Sequence, residues 1–280
     1  MKLVLLTAHS PDGEVQHRYV AHRLRAAFGP ELTAIIVATG LPRPLLKKAR
    51  YYFKRYSVWQ ILSRSLLILR HRLNGRRAAR QDTYARVLFP DGEDGRMPDS
   101  NIVRRVPSHN GPQCLELLRE LQPDIIAVYG TMVIGQAVIA QAKVSIINMH
   151  TGLSPLYRGS DTIFWALYNA EPEHVGVTIH RLNSGLDAGA IFATAKPAFS
   201  PDDTEDSLFA KCVSIGTPLF EKAIRDEAAG NAAAMPQNLD TGREYRSIER
   251  TLWSELIAEK NIGNGLIRDF RGETNGTIRK

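Results

Sequence analysis

The stretch that most constrains this chain is Val144-Ser-Ile-Ile-Asn-Met-His150-Thr-Gly-Leu-Ser-Pro155-Leu-Tyr-Arg-Gly159. Its run of β-branched residues reads as a buried strand. The strand ends on Asn148 and His150, two polar residues of the same parity, so both point to one face. Gly152, Pro155 and Gly159 then break the chain into a loop. In an α/β sheet, ligands collect outside the carboxyl ends of the strands. The stretch therefore reads as a catalytic strand end that needs neighbouring strands and polar partners.

The remaining sequence supplies the sheet. Residues 2–7 read as a strand, 14–28 as a helix carrying Val15, Tyr19, Leu24 and Phe28, and 32–38 as a second strand closed by Gly40. The loop at 8–13 holds one glycine and is not a G-x-G-x-x-G fingerprint, so no dinucleotide cofactor is expected. Strands at 101–106 and 124–129 and helices at 113–121 and 136–141 lead into the stretch above. A helix follows at 163–168, then strands at 175–182 and 190–195 joined by Asn183-Ser-Gly-Leu-Asp187-Ala-Gly189, then a long helix from Thr204. The expected fold is α/β: a doubly wound, Rossmann-like, mostly parallel sheet over residues 1–230. It carries a basic helical insertion at 41–82 and a short C-terminal extension at 231–280. Within that extension, residues 247–259 read as one more helix.

The formal net charge of +7 is unevenly distributed. No acidic residue lies between Glu31 and Asp82. That window holds Arg43, Lys47, Lys48, Arg50, Lys54, Arg55, Arg64, Arg70, Arg72, Arg76, Arg77 and Arg80, and the remainder is mildly acidic. Tyr52, Tyr56, Trp59, Ile61, Leu62, Leu66, Leu69 and Leu73 recur among them at helical spacing, giving one or two amphipathic helices. A bland account leaves those charges solvated. Sharper ones attract a phosphate-bearing substrate, or a peripheral contact with an anionic membrane through residues 43–80. No recognition motif accompanies the charge, so nucleic acid is not expected. Cys114 and Cys212 stand far apart in no metal-like spacing, which fits a reducing, cytoplasmic setting and no bound metal. Asp12 and Glu14 follow the apolar start too soon for a signal peptide, and residues 58–69 are too short, with Arg64 inside, to span a bilayer.

The polar residues suggest a chemistry. A histidine can carry a proton near neutral pH, and an asparagine amide can donate to an oxyanion without titrating. Asp187, in a glycine-flanked turn, can assist proton transfer, although aspartate in such a turn is equally a turn-former. Together the three suit attack of an amine on a carbonyl. No serine or cysteine elbow stands nearby, so no covalent enzyme intermediate is implied.

Asn148-x-His150-x-Gly-Leu-Ser-Pro155-x-x-x-Gly159 resembles the signature of the folate-dependent formyltransferases, N-x-H-x-S-L-L-P-x-x-x-G, departing from it at Thr151-Gly152 and Ser154. Gly176-Val-Thr-Ile-His180 with Asp187-x-Gly189-x-Ile191, and Asp124-Ile-Ile-Ala-Val-Tyr-Gly130-Thr-Met-Val-Ile134 upstream, resemble two further family segments in the same order. The resemblance implies that N10-formyltetrahydrofolate donates a formyl group to an amine. It implies that Asn148 and His150 stabilise the oxyanion and that Asp187 relays the amine proton through a bridging water. Met132, Val133 and Ile134, with the turn at Leu186 and Asp187, would line the pterin pocket, largely through backbone groups.

Among family members, glycinamide ribonucleotide transformylase has a glycine-rich phosphate loop that residues 8–13 do not match. Methionyl-tRNA formyltransferase has a C-terminal barrel for which the residues after Asn231 are too few. Formyltetrahydrofolate deformylase places a regulatory domain ahead of a core that here begins at Lys2. The expected acceptor is therefore a nucleotide-linked amino sugar of surface polysaccharide synthesis. The alternatives are glycinamide ribonucleotide, another small amine, or a non-catalytic folate-binding relative, against which the intact Asn148, His150 and Asp187 speak. His17 and Arg158 are candidate acceptor contacts; otherwise His17 is a solvated helix residue and Arg158 a surface charge. A homodimer is compatible with this reading.

Overall fold

Strands covered on both faces need apolar side chains at nearly every position, and this chain supplies them in short runs. A computed structural model describes residues 1–8, 15–40, 53–92, 96–98, 100–183, 185 and 187–272. The elements are β1 (Leu3–Ala8), α1 (Val15–Phe28), β2 (Leu32–Ala38), α2 (Val58–Leu73), α3 (Arg76–Leu88), β3 (Val103–Val106), α4 (Pro112–Leu121) and β4 (Ile125–Tyr129). They continue with α5 (Gln136–Ile139), β5 (Ser145–His150), β6 (Tyr157–Gly159), α6 (Thr162–Tyr168), β7 (Val177–Arg181), β8 (Ile191–Ala195), α7 (Glu205–Ala228), β9 (Arg243–Tyr245) and α8 (Leu252–Gly263).

Seven strands form one sheet in the order β3-β2-β1-β4-β5-β7-β8. The first five in that order run parallel, β7 runs antiparallel to β5, and β8 antiparallel to β7. This is the mostly parallel, doubly wound α/β sheet that the sequence implies. Strand parity divides its core. Leu3, Leu5, Ile35, Ile125, Ala127 and Ile147 share one face with buried residues of α1, α3 and α7. Val4, Leu6, Ile36, Ile126 and Ile146 share the other with Cys114 and Leu118 of α4 and Val138 of α5. Both cysteines are buried and free.

The basic segment forms two helices where residues 53–92 are described. Arg43, Lys47, Lys48, Arg50 and Tyr52 lie outside the described residues. Helix α2 starts at a capping box, in which the Ser57 hydroxyl accepts from Gln60 N at 3.2 Å. The cations of this region are not uniformly solvated. Arg64 donates to the Arg250 carbonyl at 2.8 Å, and Arg70 pairs with Glu259 at 2.8 Å. On α3, Arg76 and Arg80 reach Asp206 at 3.1 and 3.0 Å.

The C-terminal extension does more than add a helix. Strand β9 pairs in parallel with β6 in a second, two-stranded sheet. Gly159 makes that approach possible: its φ is +93°, and a Cβ there would run into the Tyr245 carbonyl. The helix read at 247–259 is a 3-10 turn at Ser247–Glu249 followed by α8, which starts at a Thr251–Ser254 capping box.

Candidate active site

The sheet brings the polar strand ends together. β5 lies between β4, parallel to it, and β7, antiparallel to it. The antiparallel register places Asn148 opposite His180 and His150 opposite Thr178. Asn148 Nδ2 lies 3.0 Å from His180 Nε2. His180 Nδ1 faces the Arg181 carbonyl at 2.7 Å. If Nδ1–H is given to that carbonyl, Nε2 is left to accept from the asparagine amide. His180 is wholly buried.

Asp187 closes the group from the turn between β7 and β8. Its φ is +48°, so the residue is the turn-former the sequence allowed, yet its carboxylate is buried at the strand ends. One oxygen, Oδ2, accepts from Gly159 N at 2.9 Å and lies 3.5 Å from His150 Nδ1. The other, Oδ1, lies 3.4 Å from both Asn148 Nδ2 and His180 Nε2. Burial alone would push this carboxyl upward. The facing His150, then His180 and the Gly159 N–H, outweigh burial and hold it well below the usual carboxylate range. Asp187 is therefore ionised at neutral pH.

His150 is oriented from both sides, since its Nε2 meets the Tyr157 carbonyl at 3.0 Å. The loop beneath it is fixed by Thr178, whose hydroxyl accepts from Ser154 N at 3.0 Å and donates to the Gly152 carbonyl at 2.6 Å. Strand β6 thus supplies one backbone group to His150 and another to Asp187, and β9 holds β6 in place. The sequence marks Gly159 within its motif but not the backbone contacts that it and Tyr157 make. Neither His180 nor Gln237 stands out as a site residue in it. Gln237 Nε2 donates to the carbonyls of Asp187 and Gly189 at 2.8 and 2.5 Å, fastening the turn from the C-terminal extension.

The other sequence candidates are placed as follows. Met132 and Val133 follow β4 and stand 78% and 65% exposed. Asn110 pins the backbone between them and the core, donating to the Val133 carbonyl at 2.8 Å and accepting from Gly135 N at 2.7 Å. Ile134 turns into the core, so only its backbone can meet a ligand. Leu186 lies outside the described residues. His17 is buried rather than solvated: its Nδ1 is 2.6 Å from Thr7 Oγ1 and its ring lies under Gly130. With a φ of +62°, Gly130 is where β4 passes over that ring. Arg158 is half-buried on β6, and its buried Nε has no hydrogen-bond partner among the described residues; the same holds for the Ser154 hydroxyl.

Comparison with known proteins gives the family and the fold. A family profile described as formyl transferase matches residues 70–224, more than half of the chain. Methionyl-tRNA formyltransferase of Chlorobium chlorochromatii is 34% identical over 136 residues, which are 49% of this chain and 43% of that protein. The chain thus spans less than half the length of that relative. A sugar N-formyltransferase from Shewanella sp. FDAARGOS_354 superposes with a TM-score of 0.56 at 14% identity, covering 93% of this chain and 88% of its own. The N-formyltransferase of Helicobacter canadensis, solved with folinic acid and dTDP-3-aminofucose, gives a TM-score of 0.50 at 18% identity, covering 89% and 72%. At these identities the structural likeness establishes the fold.

Proposed function

The chain belongs to the formyl transferase family, and from that premise we propose that it transfers a formyl group from N10-formyltetrahydrofolate to the amine of a nucleotide-linked amino sugar. The observation that carries this reading is the convergence of Asn148, His150 and an ionised Asp187 at the carboxyl end of β5. The folate fits the residues present. Exposed Met132 and Val133 on a pinned backbone offer an apolar edge and peptide groups beside the strand ends. When bound, the folate supplies an activated formyl carbonyl.

The side chains then have distinct tasks. The Asn148 amide and the His150 ring donate to the formyl oxygen as it gains negative charge under attack by the amine. In the free protein Asn148 and His150 keep bonds of 3.0 Å to His180 and the Tyr157 carbonyl, and an incoming oxygen exchanges only for their longer contacts to Asp187, at 3.4 and 3.5 Å. Asp187 takes the proton that the attacking amine must lose. Gln237 and Gly159 N keep its carboxylate in register. Arg158 is the candidate contact for the anionic part of the acceptor, and His17 supports the loop beginning at Gly130 from below.

The N-formyltransferase solved with dTDP-3-aminofucose supports a nucleotide-sugar acceptor. A second reading, the methionyl-tRNA amine, is favoured by the 34% identity to a methionyl-tRNA formyltransferase. The test is release of tetrahydrofolate, followed by absorbance, with N10-formyltetrahydrofolate and a panel of nucleotide-linked amino sugars, with methionyl-tRNA run in parallel. Turnover with a nucleotide sugar is expected. Turnover with methionyl-tRNA alone replaces the sugar by the second reading, and no turnover with any amine overturns formyl transfer.

A further inference from the structure

Helix α2 is built inside out. Its polar and basic residues attach it to the protein, through Arg64 to the Arg250 carbonyl, Arg70 to Glu259, His71 Nε2 to Glu255 at 3.2 Å and Ser63 Oγ to Leu252 N at 3.2 Å. Leu67 is its one buried apolar residue. Apart from half-buried Ile61, the remaining large apolar side chains face solvent. Trp59, Leu62, Leu66, Leu69 and Leu73 are all exposed, Trp59 at 81% and Leu73 at 77%. Their spacing of three and four residues places them on a single stripe along the helix. Helix α8, held beside α2 by those contacts, also leaves Trp253, Leu256 and Ile257 exposed, the tryptophan at 73%. Two of the chain's three tryptophans are therefore solvent-facing on adjoining helices. Scattered exposed leucines need no explanation, whereas a continuous stripe of this kind marks a surface that something covers.

Charge indicates what covers it. Lys54, Arg55, Arg72 and Arg77 are exposed along this segment, and no acidic residue occurs between Glu31 and Asp82. A second copy of the same face would oppose cations with cations. A surface of anionic headgroups over acyl chains matches both parts, taking the cations at its headgroups and the leucines below, with tryptophans at the boundary. Among the described residues no helix is long and apolar enough to cross a membrane, so contact would be in the interfacial plane.

We propose that the outward face of α2, with the exposed residues of α8, docks the protein on an anionic lipid surface. The apolar stripe makes the insertion, in place of the arginines that the structure commits to internal ion pairs. The proposal is independent of formyl transfer, and its test reads no catalysis.

The test is flotation of the full chain with vesicles of equal parts phosphatidylglycerol and phosphatidylcholine, and with phosphatidylcholine alone. The expected result is binding to the anionic vesicles, weakened by salt, with a blue shift of tryptophan emission. The triple variant Leu62→Glu, Leu66→Glu, Leu69→Glu should bind at least about tenfold more weakly. Because all three residues are exposed, its melting temperature should stay at the wild-type value. The pair Lys54→Glu, Arg72→Glu should lose the preference for anionic vesicles while keeping the fold. Absence of binding by the wild type overturns the proposal, as does undiminished binding by the triple variant. A wild-type dimer in sedimentation equilibrium that the triple variant dissociates, with no vesicle binding, assigns the stripe to a second copy instead.

Discussion

Among the described residues, the surroundings of Arg250 and of Asp187 both bury charge, and they are built differently. Around Arg250, which is 2% exposed, the guanidinium grips Glu205 with two bonds of 2.7 and 2.8 Å, Glu255 at 2.8 Å and Asp161 at 3.2 Å. It also lies over the Phe164 ring at 3.9 Å from the centroid. Around Asp187 the partners are two histidines and an asparagine at 3.4 to 3.5 Å, with one shorter bond from Gly159 N. A guanidinium is always charged, and its fork fixes direction as well as distance, so Arg250 locks its three carboxylates in place. The second is held by contacts of 3.4 to 3.5 Å, which exchange readily for those of a bound substrate, so it can serve chemistry. Asp161, two residues beyond Gly159, joins the lock to the loop that feeds the site. The comparison separates a buried charge that holds structure from one that is poised.

The comparison breaks most visibly at Arg250. Arg250→Met leaves Glu205, Glu255 and Asp161 without their common cation and should cost about 3–5 kcal/mol of unfolding free energy in urea. A loss smaller than that of an ordinary surface substitution would deny it the role of a lock. His150→Ala should do the opposite, lowering kcat for formyl transfer about 100- to 1,000-fold, on the order of 3–4 kcal/mol, with little change in the urea midpoint.

Acid separates the clusters next. Burial opposes the charge on Glu255, but His71 and Arg250 pull it down to about 2 from its ordinary 4.5. A depressed folded-state value means its stabilisation is complete above the ordinary value and is lost as pH falls from about 4.5 toward 2. Unfolding free energy should drop by at most about 3 kcal/mol over that window, and Glu255→Gln should flatten the drop. Equal slopes in wild type and variant would remove Glu255 from the cause. The smallest effect is expected at Gln237, which touches Asp187 only through the backbone of its turn. Gln237→Ala should lower kcat by about tenfold, near 1.4 kcal/mol, with KM for the folate unchanged. An unchanged kcat would mean the turn holds itself.

The sheet was legible because parallel strands buried on both faces leave continuous β-branched runs, as at Ile125–Tyr129 and Ser145–His150. Asn148, His150 and Asp187 were legible through the resemblance of their motifs to a known family, and the structure brings those three side chains together. Their supports were hidden for physical reasons. His180 becomes the partner of Asn148 only through an antiparallel register that no local pattern encodes. Tyr157–Gly159 and Arg243–Tyr245 are three-residue strands far apart in the chain, too short to show any alternation. The basic segment misled in direction. Helical spacing in the sequence shows that α2 is amphipathic but not which face turns inward, and ion pairs with Glu255 and Glu259 of α8 decide that its charged side does.

The most direct test of the poised cluster is Asp187→Asn, which keeps the shape and a Gly159 acceptor while removing the charge. Initial rates of tetrahydrofolate release and urea unfolding are measured on the same preparation. The predicted result is a fall in turnover of at least about 1,000-fold with a stability change within about 1 kcal/mol. Turnover at the wild-type rate, or a loss of activity matched by loss of the fold, would contradict it.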